Sequence, residues 1–266
     1  IRDRDVTGVQ TCALPIFKAM TGGAAVERIN ILGLPVDKVD MAGAVARVRG
    51  LVSENRTCQV VTLNSEIAMT AQEDSELARV ICEADLVVPD GAGVVWASRV
   101  LGVSLPERVA GFDLMQELLA CAADHHWPVF FLGAEPGVAE EAVECVRRRL
   151  PGLIVAGTHH GFFDKQEEAA VIEKVNSGGA RLVFVGMGAP RQDFWIASNK
   201  THIKEAICIG VGGSFNVLAG KVKRAPDWMG RCGLEWLFRL ICQPSRFVRM
   251  LALPRFVVRV LREKLA

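Results

Sequence analysis

The segment VVPDGAGVVW, residues 87–96, decides how the chain is read. An apolar run ends at Pro89, an acid stands at Asp90, and Gly91 and Gly93 lead into a second apolar segment. That pattern describes a buried strand leaving a sheet and turning into a helix. Asp90 then has two readings. It caps the helix, the commoner use of an acid at such a position, or it faces a crevice at the mouth of the sheet. The pattern alone leaves both open.

Outward from this segment the same alternation repeats. Apolar runs at 29–34, 58–63, 86–89, 129–132, 154–156, 182–185 and 206–209 read as strands. Amphipathic stretches at 42–53, 66–84, 113–124, 138–150 and 167–176 read as the helices between them. Strand and helix alternating at this spacing predict an α/β fold: a mostly parallel sheet with helices on both faces. In helix 138–150, Glu140 and Glu141 lie near the start and Arg147, Arg148 and Arg149 near the end. This placement complements the helix dipole, so the arginines read as a solvated helix end.

Half of the 266 residues are apolar, enough for a large core without disulfides or metal. The eight cysteines are scattered with no Cys-x-x-Cys pair, which predicts small buried hydrophobes in a reducing compartment. No apolar run has the length of a membrane span, and the N-terminus lacks the apolar core of a signal peptide. The stretch VTGVQTCALPI, residues 6–16, looks like a translated sequencing adapter, so residues 1–20 are expected to stand outside the fold. The only Asp-x-Asp, Asp3-Arg4-Asp5, lies there and is not read as a metal site.

Charge is distributed unevenly. The chain carries a formal +1, but from Lys221 onward eleven Lys/Arg face three Asp/Glu, so the tail is +8 and the remainder −7. Residues 226–266 are helical in period, with expected breaks at Pro244 and Pro254, and mix aromatics with arginines. Arg255, Arg259 and Arg262 fall on one helix face. Such a segment suits a membrane interface with anionic headgroups, or a terminal helix docked on its own domain.

In an open parallel sheet, ligands bind beyond the carboxyl ends of the strands. Five exits there are rich in Gly and short polar residues. Two are TLNS (62–65) and PDGAG (89–93); a third is LGAEPGVAEEA (132–142), with Gly133 ahead of a helix N-terminus. The others are VGMGAPRQDFW (185–195), with Gly186, Gly188 and Gln192, and GVGGSFNVLAGKVKRAP (210–226). Asn64 or Ser65 could be a plain helix cap. Together the five suggest a nucleotide or sugar-nucleotide crevice, though the G-x-G-x-x-G fingerprint is absent. The pairs His125-His126 and His159-His160 lack metal-site spacing, and Ser214 lacks a nucleophile elbow.

The blocks TLNSEI, VVPDGAGVVW, ERVAGFDLM, FFLGAEPGVAEEA, VGMGAPRQDFW, GVGGSFNVLAGKVKRAP and GLEWLFRL resemble, in order, those of the WecG/TagA/CpsF glycosyltransferases. The resemblance runs from about Arg28 to the end. It implies a Rossmann-like domain over 27–225 and a basic, amphipathic, membrane-binding appendage over 226–266. It also implies inverting transfer of N-acetylmannosamine or a related sugar from a UDP-sugar to undecaprenyl-diphosphate-linked N-acetylglucosamine, without metal or cofactor. Asp90 matches the family's proposed base, which reverses the cap reading, and Arg108 lies in the implied pocket. Thr62, Asn64, Gly91, Gly133, Gly186, Gly188 and Gln192 are expected to contact substrate. Arg239, Arg246 and Arg249 would come from the appendage to neutralise the leaving diphosphate. Asn216 stands where many relatives have aspartate, so no charge-dependent role is assigned to it. The expected place is the cytoplasmic face of the cell membrane, with self-association left open. Two rival readings are a non-catalytic nucleotide- or lipid-binding module in polysaccharide assembly and, more weakly, nucleic-acid binding through the tail. The tail's leucines, prolines and tryptophans suit an interface better than a phosphate backbone.

Overall fold

The computed structural model describes residues 26–242, 244 and 247–265, without the side chains of Asp227, Arg231 and Arg239. The adapter-like residues 1–20, Arg246 and the Arg239 side chain therefore lie outside the described residues.

The chain opens with an antiparallel hairpin, β1 (Arg28–Ile31) and β2 (Leu34–Asp37), where one strand over 29–34 was expected. Leu32 and Gly33 both adopt positive φ, 54° and 79°, which makes the tight hairpin turn, and the Gly33 N–H donates to the Asn30 side chain. An apolar run does not reveal such a turn when its first corner residue is leucine. Asp37 ties the hairpin to the rest of the fold. Asp37 is buried, paired with Arg28 at 2.9 Å, and its other carboxylate oxygen accepts the Val87 N–H at 2.7 Å.

Helix α1 (Met41–Val52) leads to β3 (Cys58–Leu63), and the helices α2 (Ser65–Glu73) and α3 (Ser75–Cys82) precede β4 (Leu86–Pro89). The single helix expected over 66–84 is broken because Asp74 is extended and its carboxylate accepts from the Glu76 and Leu77 N–H groups, starting α3 afresh. There follow α4 (Ala92–Val100), α5 (Gly111–His125), β5 (Val129–Gly133), α6 (Val138–Arg149), β6 (Val155–His159) and α7 (Lys165–Ser177). The central fold closes with β7 (Leu182–Gly186), α8 (Arg191–Asn199), β8 (Ile207–Gly210) and α9 (Ser214–Leu218). The six strands β3–β8 are all parallel, in the order β4-β3-β8-β7-β5-β6. β4 is therefore an edge strand, and Asp37 covers it by taking the Val87 N–H.

Strand residues alternate between the two faces, as period two requires. Val60, Phe131 and Phe184 pack with α1, α5 and α6 on one side. On the other, Val61, Leu63 and Val87 meet the hairpin, α2 and α3, while Leu132, Val183 and Cys208 meet α7 and α8. Both faces of β3, β4, β5, β7 and β8 are dry, so these strands read as continuous apolar runs, whereas the edge strand β6 is half-buried. Burial pushes the Cys58 thiol up to about 11 and the Cys208 thiol to about 12, which keeps both protonated. Cys232 and Cys242, by contrast, are exposed and do not fit the buried-hydrophobe expectation.

The C-terminal segment comprises α10 (Asp227–Arg231), α11 (Glu235–Cys242), α12 (Phe247–Met250) and α13 (Ala252–Leu265). Pro254 does not break a helix, because it falls in the first turn of α13, where its missing N–H has no intrahelical partner to lose. Phe256, 1 % exposed, and Val260 sink into the cluster formed by α2 and α4. Arg255 pairs with Glu73, and Lys264 donates to the Val100 carbonyl at 2.6 Å. The last helix is thus docked on the α/β core, and Arg255, Arg259 and Arg262 stay exposed on its outer side.

Candidate active site

A cavity of about 320 Å³ opens beyond the carboxyl ends of β3, β4, β7 and β8. Its size suits a small ligand, and its position is where the topology of an open parallel sheet makes a crevice. A smaller one of about 130 Å³ lies between the start of α4 and the C-terminal segment. Asn64, Glu66, Asp90 and Glu235 line both.

Asp90 is held at this junction by the sheet. Its N–H donates to the Leu63 carbonyl at 2.8 Å, extending the β3–β4 ladder by one residue. The N-cap of α4 is Gly91, with φ 106°, and no side chain caps that helix. The cap reading of Asp90 is therefore overturned: the glycine makes the turn that only glycine makes easily, and the carboxylate lines both cavities instead. Asn64 does both jobs at once. Its Oδ1 accepts the Ile67 N–H at 3.0 Å as the cap of α2, and the residue also lines the cavities. Thr62 is buried, lines the larger cavity, and donates to the Gly210 carbonyl at 3.1 Å, tying β3 to β8.

Gln192 is only 2 % exposed. Its Oε1 accepts the Gly212 N–H at 2.9 Å, so it shapes the β8–α9 loop that forms the cavity wall. Gly188 lines the larger cavity and Gly91 the smaller. Gly133 and Gly186 line neither, against expectation. A Cβ at Gly133 would stand 2.4 Å from the Gly186 backbone, and one at Gly186 would stand 2.9 Å from the Phe215 ring. These two glycines serve strand and helix packing.

Cations gather on the outer side. Lys223 and Arg224, from the loop after α9, line the larger cavity together with Arg249 of α12. Arg224 pairs with Asp113 at 2.7 Å and lies over the Phe112 ring at 4.9 Å. Arg108 does not reach the larger cavity. It lines the smaller one and donates from Nη1 to Glu235 Oε2 at 2.8 Å, joining the core to α11.

Sequence reasoning gave no role to Glu66, Asp193 or Glu235. Glu66 lines both cavities, and its Oε1 is buried without a hydrogen-bond partner among the described residues. Asp193, next to Gln192, is completely buried and neither carboxylate oxygen has such a partner. Burial pushes its carboxyl up to about 7. Glu66 and Glu235 sit inside the quoted blocks TLNSEI and GLEWLFRL, which is the only local signal they carry. Among the described residues, no three His, Cys, Asp or Glu side chains gather as a metal-ligand group.

A parallel sheet covered on both faces, with a crevice beyond its strand ends lined by carboxylates and rimmed by arginine and lysine, marks the class of α/β proteins that bind ligands at a topological switch point. Comparison with known proteins is specific: the glycosyl transferase WecG/TagA/CpsF family matches residues 29–266, and the chain belongs to that family. It is similar to the N-acetylglucosaminyldiphosphoundecaprenol N-acetyl-beta-D-mannosaminyltransferase of Bacillus spizizenii, 39 % identical over 81 % of this chain and 83 % of the relative. The proteins of that name from Bacillus subtilis and Staphylococcus aureus strain NCTC 8325 are 37 % and 33 % identical, covering 77 % and 89 % of this chain and 79 % and 93 % of theirs. The protein is a glycosyltransferase.

Proposed function

We propose that the protein transfers N-acetylmannosamine from a UDP-sugar to N-acetylglucosaminyl-diphospho-undecaprenol, with inversion and without metal, in cell-wall polysaccharide or teichoic acid synthesis. The relatives' shared name supports the transferred sugar and the acceptor. The observation that carries the chemistry is Asp90 at the junction of the two cavities. In this reading the sugar nucleotide occupies the larger cavity and the acceptor sugar reaches Asp90 from the smaller one. The Asp90 carboxylate takes the proton of the acceptor hydroxyl. The hydroxyl oxygen bonds to the anomeric carbon from the face opposite the phosphate, and the carbon–oxygen bond to UDP breaks with its electron pair leaving on the diphosphate. Arg249 and Lys223, on the rim of the larger cavity, offset that charge, the part a divalent ion plays in other transferases. Trp236, Met250 and Leu253 line the smaller cavity and give a prenyl chain an apolar wall.

UDP release from a panel of UDP-sugars, with a short-chain prenyl-diphospho-N-acetylglucosamine acceptor and EDTA present, tests this directly. Acceptor-dependent release from UDP-N-acetylmannosamine is the expected result. Metal dependence would remove the cation argument, and binding without turnover of any donor would favour a non-catalytic module.

In this reading the reaction takes place at the cytoplasmic membrane face, where a lipid-linked acceptor would be held. No helix among the described residues is long and apolar enough to cross a membrane. Trp228, Ile241, Phe247, Val248 and Leu251 are exposed on the C-terminal segment beside the exposed arginines of α13, which suits a peripheral seat. Replacing Arg259 and Arg262 together by glutamate should lower co-sedimentation with anionic vesicles. At roughly 1 kcal/mol per cation lost near the surface, the partition coefficient should fall at least tenfold. Unchanged partitioning would detach α13 from the membrane role.

A further inference from the structure

We infer that Glu235 is a positioning residue: it holds the Arg108 guanidinium so that its free N–H groups face a substrate diphosphate at the Asp90 junction. The inference rests on the proposed function. Arg108 comes from the loop before α5 and Glu235 from the first turn of α11, 127 residues later. Their contact is a 2.8 Å hydrogen bond between side chains only 21 % and 17 % exposed. It is more sheltered than the Arg255–Glu73 pair of the same segment, whose side chains are both more than half exposed. Partial burial makes such a bond stronger and more selective in geometry than an exposed pair.

Three further features fix the arrangement. Arg108 uses one Nη on Glu235, and its other N–H groups make no hydrogen bond to the described residues. Gly230 of α10 lies against the remaining Nη: a Cβ there would stand 3.8 Å from Arg108 Nη2. Gly233, with φ 71°, brings the α10–α11 turn so close to α4 that a Cβ would stand 2.9 Å from Ala92 Cβ. The turn is pressed against the residues that follow Asp90 and Gly91, and Glu235 leaves it two residues later. The C-terminal segment therefore grips Arg108 on two edges and seats against the base-bearing loop. An arginine that must aim a planar fork at a diphosphate loses less entropy on binding when it is already held.

Two diphosphates meet at this place, the nucleotide's and the prenyl acceptor's, and the fork recognises their shared chemistry. Arg108 and Glu235 line the smaller cavity with Trp236, Met250 and Leu253. Glu235 also lines the larger cavity.

The test is a double-mutant cycle with Glu235→Gln, which keeps the shape and removes the charge, and Arg108→Gln. Affinities for UDP and for geranylgeranyl diphosphate are measured by titration calorimetry, and kcat and KM are measured for donor and acceptor. In the wild-type background Glu235→Gln should weaken one of the two diphosphates roughly tenfold, and in the Arg108→Gln background by less than about twofold. Whichever ligand responds names the diphosphate that Arg108 faces. Unchanged affinity for both overturns the inference, as does an equal loss in both backgrounds. Tighter binding in Glu235→Gln also overturns it, because the carboxylate would then be a competitor of the phosphate. The binding arms need no turnover. A wild type that binds both ligands through this cycle but transfers no sugar would refute the proposed function and leave the positioning role standing.

Discussion

Asp90→Asn should cut kcat by roughly a factor of 10² to 10⁴ while leaving KM for the donor within a few-fold, the loss expected when a general base is removed. Asparagine keeps the size of the side chain and cannot take a proton. It also caps helices as well as aspartate does, so a fall in rate cannot be blamed on a lost cap. The structure sharpens this point, because the N-cap position of α4 belongs to Gly91. The backbone bond from Asp90 N–H to the Leu63 carbonyl survives the substitution. The unfolding transition serves as the control for stability. Turnover equal to wild type with UDP-N-acetylmannosamine would sink the assignment of the base. A large rise in donor KM with kcat unchanged would make Asp90 a binding residue.

The parts of this site that could be read from the sequence were the ones made locally. The strands β3, β4, β5, β7 and β8 are buried on both faces and leave through glycine and short polar residues, so the exits at Thr62, Asp90, Gly188 and Gly212 stood out. The resemblance to a family added the order of the blocks. What escaped was non-local. Arg108 and Glu235 are 127 residues apart and meet through tertiary packing: the Gly233 turn seats on α4, and Phe256 and Val260 sink between α2 and α4. Composition offered an interfacial helix and a docked helix as alternatives, and α13 is docked with its arginines outward. Gly133 and Gly186 looked like phosphate-approach glycines because a strand exit and a close strand contact both need the missing side chain, and only coordinates separate the two. Asp193 escaped for a different reason. A charged residue in the first turn of a helix reads as solvated, and nothing in its neighbours announces that the turn is buried under β8.

That burial predicts how stability depends on pH. A carboxyl that ionises near 3.8 in an unfolded chain and near 7 in the folded protein remains protonated in the fold long after the unfolded state has lost its proton. Between those values the unfolded state binds fewer protons, so stability is fully present below about pH 4 and drains away as pH rises, levelling off above 7. The whole difference is of the order of 4 kcal/mol, and about 2–3 kcal/mol of it falls between pH 5 and 8. Other groups titrate in the same range, so wild type must be compared with Asp193→Asn, which cannot ionise. The free energy of unfolding, from denaturant titrations at pH 5, 6, 7 and 8, should fall in wild type relative to the variant across that series. The two curves should run parallel from about pH 8 upward. Parallel curves from pH 5 would mean that Asp193 ionises normally and that its oxygens find donors in solution. A wild-type curve that falls away from the variant's would carry a further meaning for the site. Asp193 lies next to Gln192, which shapes the loop lining the larger cavity, and an Oδ1 of Asp193 comes within 3.3 Å of where a Cβ on Gly210 would be. Ionising an unpaired acid under that strand end destabilises the wall of the crevice along with the fold, so binding of UDP should weaken over the same pH interval in wild type and stay level in the variant.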